Sequence, residues 1–131
     1  MVRNVRFMYS GIRVRNLERS IRFYERIGFR VSRSGWFSHG GKWVHLVFPG
    51  SDHRLELNYY PKGSPYATPF SPGEGLDHIG VRVNDMAAAG RQLKAAGGRL
   101  VDQFKEGRTV VVAYYEGPDG IWVELILSPS V

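Results

Sequence analysis

The chain has 131 residues, 43% of them apolar and 13% aromatic, with a net charge of +6 and no cysteine. That length and composition fit a single globular domain with its own core. They exclude a disordered segment, disulfides, thiolate metal sites and a cysteine nucleophile. No apolar run approaches the ~20 residues that span a bilayer. The start Met-Val-Arg-Asn-Val-Arg lacks a secretory apolar stretch, so a cytoplasmic protein with no membrane partner is expected.

Residues 7–14 alternate well enough for a strand. Asn16 is a helix cap, Leu17, Ile21, Tyr24 and Ile27 follow at helical spacing, and Gly28 ends the helix. On that helix Arg19, Arg22 and Arg26 are interspersed with Glu18 and Glu25, the pattern of a solvated face. No nucleic-acid-binding motif is visible, and no nucleic-acid partner is expected. Phe29 to Ser32, Trp43 to Phe48 and Arg54 to Tyr60 read as three strands between Gly-, Pro- and Asp-containing turns. Residues 61–75, rich in proline and glycine, read as a linker.

The order then recurs. Residues 77–83 form a strand, Asp85 caps a helix from about Met86 to Ala96, and Gly97-Gly98 stops it. Strands follow near Arg99 to Gln103, Thr109 to Tyr115 and Ile121 to Leu127. The recurrence is visible in the letters: Ser10-Gly11-Ile12-Arg13-Val14 returns as Ile79-Gly80-Val81-Arg82-Val83, and Leu55-Glu56-Leu57 as Val123-Glu124-Leu125. One supersecondary unit occurs twice, at 1–60 and 76–131, each too small to be comfortable alone. The expected fold class is α+β, two βαβββ modules forming a curved mixed sheet around a cavity.

Side chains alternate between the faces of a strand. If Leu55 and Leu57 pack against a helix, Glu56 faces away from it. By the same parity His78, Trp122 and Glu124 face the cavity, as do Trp43 and His45, and the repeat adds Tyr9 and Arg13. Tyr9 is equivalent to His78 and Glu56 to Glu124. Three of these four side chains are standard ligands for a divalent cation. A phenol, with a pKa near ~10, is a poor ligand at neutral pH unless a cation lowers it, so Tyr9 either ligates or hydrogen-bonds a bound water. His45 either supplies a further imidazole or is a cavity histidine satisfied by a neighbour.

Across nearly its whole length the chain resembles the vicinal oxygen chelate superfamily, and glyoxalase I within it. The resemblance rests on Leu17-Glu18-Arg19-Ser20-Ile21-Arg22-Phe23-Tyr24, Gly28-Phe29, Leu55-Glu56-Leu57 and Gly75-Leu76-Asp77-His78-Ile79-Gly80-Val81-Arg82-Val83. It continues through 109–120 into Ile121-Trp122-Val123-Glu124-Leu125-Ile126.

The resemblance implies a divalent metal (Ni, Co, Zn, Mn or Fe) held by Glu56, His78 and Glu124, with Tyr9 standing where the family pattern has its first histidine. It implies Glu124 as the base that moves a proton beside a metal-bound carbonyl, with Glu56 as ligand or second base. Arg13 falls where the family contacts a glutathione carboxylate, and Tyr60 replaces an asparagine contact, which leaves room for another thiol adduct or an epimerisable thioester. Substrate contacts are expected from Arg13, Tyr9, His45 and Trp122, and the resemblance implies a homodimer. Two other chemistries fit the scaffold: extradiol ring cleavage, one histidine short here, and antibiotic sequestration in an aromatic-lined cleft.

Overall fold

The computed structural model describes residues 9–38, 40–65, 67, 69, 71, 76 and 78–128. The expected strand positions Phe7, Met8 and Asp77, along with Gly75 and part of the 61–75 linker, lie outside those residues. In chain order the elements are β1 (Tyr9–Arg13), α1 (Leu17–Arg26), β2 (Arg30–Trp36), β3 (Lys42–Val47) and β4 (Arg54–Tyr59), followed by β5 (His78–Val83), α2 (Met86–Ala95), β6 (Arg99–Glu106), β7 (Thr109–Glu116) and β8 (Trp122–Leu127). A single 3₁₀ turn at Pro118–Gly120 precedes β8.

Both helices start as their caps dictate. The Asn16 side-chain oxygen accepts from the Arg19 N–H at 3.0 Å, and the Asp85 carboxylate accepts from the Ala88 N–H at 3.0 Å. Gly28 and Gly97 end them at φ 116° and 96°, a left-handed conformation that costs a glycine nothing. Two strands run longer than their letters suggest. β2 continues to Trp36 and β6 to Glu106, each through largely exposed residues and a register shift.

The strands form two four-stranded mixed sheets, ordered β1-β4-β3-β2 and β5-β8-β7-β6. In each, the first strand of the module runs parallel to the last and the other pairings are antiparallel. The two sheets thus repeat one topology. Each module's helix covers the apolar face of its sheet. Phe23 and Tyr24 of α1 are buried in one core cluster with Val44, Leu46, Leu55 and Leu57, while Leu93 of α2 joins Ala113, Val123 and Leu125. Leu46, Leu57 and Val123 are wholly buried, each a gain of about 1.5–3 kcal/mol over an exposed position.

The modules meet through α1. The Phe23 ring lies so close to the second module's turns that a Cβ on Gly117 would sit 2.9 Å from it. The Arg26 guanidinium donates to the Ala95 carbonyl at 2.7 Å, and the Arg15 N–H donates to the Asp119 carboxylate at 3.1 Å. Asp119 itself adopts φ 62°, a left-handed position that Asp tolerates better than most residues. These contacts tie the helical sides of the two modules together. No helix among the described residues is long and apolar enough to cross a membrane.

Candidate active site

The first half of the site is built on β1, β4 and β3. Gly11 of β1 and His45 of β3 are both in register with Glu56 of β4. His45 Nε2 lies 2.6 Å from Glu56 Oε2. The pair is buried, with His45 at 7% exposure and Glu56 at 9%. Two rings wall it: Tyr9 and Trp43 each place a centroid 4.9 Å from that of His45. His45 Nδ1 is buried without a hydrogen-bond partner among the described residues. Buried polar groups seldom stay in this state without a reason.

The second half, on β5, β8 and β7, follows the same plan. Gly80 and Tyr114 are in register with Glu124. His78 Nε2 lies 3.2 Å from Glu124 Oε2, in a more open setting where the histidine side chain is 38% exposed and the glutamate 18%. Gly80 leaves room beside the carboxylate: a Cβ there would come 3.9 Å from Glu124 Oε2. Tyr114 packs edge-on to His78 at 5.8 Å and lies 5.9 Å from Trp122, with Phe104 at 6.3 Å on its other side.

The parity expectations for side chains therefore hold: Glu56 and His45 share one sheet face, and His78, Trp122 and Glu124 another. Tyr9 joins the first set through its ring, and Arg13 is half-buried at the end of β1. Tyr114 was not singled out in the sequence, because Val-Val-Val-Ala-Tyr-Tyr shows no alternation from which to choose a face. Its position one repeat after His45 was the available signal. The structure also defines a cleft of ≈ 590 Å³ where the edge strands β1 and β5 approach. Ser10, His53 and Leu55 line it from one module, and His78, Gly80 and Arg82 from the other.

Imidazole and carboxylate oxygens are the donors that Ni, Co, Zn, Mn or Fe accept, so the chemistry of the residues fits such an ion. In a single chain they come as two separate pairs. Glu56 stands on one sheet and His78 with Glu124 on the other. Among the described residues no group of three His, Asp or Glu side chains gathers to hold one ion. Among the described residues of one chain, Glu56 and the His78–Glu124 pair are therefore not gathered around a common point.

Similarity to known proteins agrees with this architecture. The chain is 29% identical over 139 residues to the lactoylglutathione lyase of Neisseria meningitidis, a match covering 96% of this chain and 93% of the relative. It superposes on the trypanothione-dependent glyoxalase I of Leishmania major with a TM-score of 0.75 at 26% identity, over 97% of this chain and 89% of that one. It shares the fold of TnmS3, an antibiotic binding protein from Streptomyces sp. CB03234, at a TM-score of 0.70 and 22% identity, over 97% and 98% of the two chains. The sequence pattern of the Glyoxalase/Bleomycin resistance protein/Dioxygenase superfamily matches residues 6–125. The chain belongs to that superfamily.

Proposed function

We propose that the protein is a divalent-metal-dependent lyase of the glyoxalase I kind, which isomerises its substrate by moving a proton between adjacent carbons, and that it works as a homodimer. One duplicated observation carries this: Glu56 and Glu124, equivalent in the repeat, each meet an imidazole Nε2, at 2.6 Å and 3.2 Å. Because the described residues of one chain gather only pairs, the ligand set Glu56, His78 and Glu124 requires the first sheet of one copy to face the second sheet of another. Exposed apolar side chains on those faces favour such a contact: Tyr9 is 40% exposed, Phe104 53% and Ile126 39%. Covering them would draw two copies together.

Bound by that set, a divalent ion supplies Lewis-acid polarisation of the substrate carbonyl. Glu124 then acts as the base, taking the proton from the carbon beside the carbonyl and returning it to the neighbouring carbon. Arg13 binds a carboxylate of the substrate's thiol portion through its two-pronged guanidinium. Tyr9, Trp122 and Tyr114 wall the reacting centre from water. The similarity to lactoylglutathione lyases supports a hemithioacetal of glutathione, or of another thiol, as substrate.

The test is turnover of such a hemithioacetal, and of an epimerisable thioester, by protein stripped of metal and then reloaded. Metal-dependent turnover that Glu124→Gln lowers by about 10²–10⁴-fold is expected. Equal rates with and without metal would overturn the proposal. So would metal-loaded protein that turns over neither substrate and only sequesters a ligand.

A further inference from the structure

The two halves of the site differ by an exchange. In the first module Glu56 is flanked by a phenol from β1 (Tyr9) and an imidazole from β3 (His45). In the second, Glu124 is flanked by an imidazole from β5 (His78) and a phenol from β7 (Tyr114). Tyr9 and His78 are repeat equivalents, and so are His45 and Tyr114. Each module therefore keeps one imidazole, one phenol and one carboxylate, but the imidazole and the phenol have changed sides.

We propose that His45 is a metal ligand, through Nε2 and beside Glu56, and that it takes the place of the imidazole missing from β1. This rests on the metal-dependent reading above and completes its ligand set as Glu56, His45, His78 and Glu124. Three observations carry it. The Nε2–Oε2 separation of 2.6 Å is a contact across a shared proton, and a cation that displaces the proton needs the same two atoms side by side. Nε2 is the nitrogen the ring offers to a shared ion, because it is the one that lies beside the Glu56 carboxylate, while Nδ1 is buried on the other side of the ring. Finally, Tyr9 and Trp43 pack on the imidazole from two sides and fix its orientation, as a ligand requires.

The experiment measures Co²⁺ and Ni²⁺ affinity by chelator competition for the wild type, His45→Gln, Glu124→Gln and the exchange variant Tyr9→His/His45→Tyr. His45→Gln is expected to lose at least about 100-fold in affinity, the upper end of what loss of an outer-shell partner costs. The exchange variant, which copies the second module's arrangement, is expected to recover most of it. If His45→Gln binds like the wild type while Glu124→Gln is impaired, the role of His45 falls and the proposed function stands. If the wild type binds neither ion, both fall. A variant that misfolds does not block the test, because pulsed electron paramagnetic resonance of Cu²⁺-loaded wild-type protein counts ligating imidazoles directly. Two are expected, and one overturns the assignment.

Discussion

Gly90 lies in the middle of α2, where replacing glycine by alanine ordinarily stabilises a helix by about 1 kcal/mol. Here the structure predicts the opposite sign. A Cβ on Gly90 would sit 2.6 Å from the Tyr115 hydroxyl oxygen, closer than non-bonded atoms tolerate, while the nearest ring carbon stays at an ordinary 3.5 Å. Tyr115 is 6% exposed and its rigid ring has little freedom to retreat. Overpacking of this kind costs about 1–3 kcal/mol. Set against the helical gain, Gly90→Ala is expected to destabilise by up to about 2 kcal/mol, a fall of up to about 8 °C in thermal midpoint for a chain of this length. Only the hydroxyl obstructs the methyl. In a Tyr115→Phe background the same substitution should therefore recover the helical gain and stabilise by about 1 kcal/mol. Urea denaturation of the four proteins closes the double-mutant cycle, with an expected coupling of about 1–3 kcal/mol. A Gly90→Ala single variant that is more stable than the wild type, with no coupling to Tyr115, would refute the packing of α2 on β7.

Gly117 tests the junction between modules. Its φ of −99° suits any residue, but a Cβ would lie 2.9 Å from the Phe23 ring, so Gly117→Ala should cost about 1–3 kcal/mol in thermal or urea unfolding, less in a Phe23→Leu background. Burial, with the Asp119 carboxylate adding to it, pushes the Tyr24 phenol well above its ordinary value. A phenol raised in this way leaves stability intact below pH about 10 and erodes it as the pH climbs above that. Tyr24→Phe also removes a buried hydroxyl with no partner among the described residues. It should therefore match or slightly exceed wild-type stability at neutral pH, with an advantage that widens in alkaline thermal melts. Saturating the protein with Ni²⁺ or Co²⁺ at about 100 times Kd should add about 2.7 kcal/mol of stability, read as a higher thermal midpoint that a chelator reverses.

Much of the fold was written in local chemistry. Asn16 and Asp85 cap helices that Gly28 and Gly97 end, and strand parity correctly put Leu55 and Leu57 in the core and Glu56 on the other face. The repeat placed Glu56 and Glu124 on corresponding faces. The lengths of β2 and β6 were not legible, because Arg33 to Trp36 and Phe104 to Glu106 are largely exposed strand held by backbone pairing, with no apolar alternation to announce it. Tyr114 was hidden in a strand that is apolar on both faces. Parity names the face a side chain occupies but not what covers that face. For this reason the separation of the Glu56 and Glu124 sheets within one chain could not be foreseen. His45 was open to two roles, and only its 2.6 Å approach to Glu56 shows that the two act as a pair.

Native mass spectrometry of the protein supplied with Ni²⁺ or Co²⁺ tests the shared site most directly, because it reads chains and ions in the same species. Two faces meeting reciprocally should give a particle of about twice 14.8 kDa carrying two ions, which Glu124→Gln fails to retain. A monomer that binds the ion on its own, or a dimer that holds none, would contradict a site assembled from two copies.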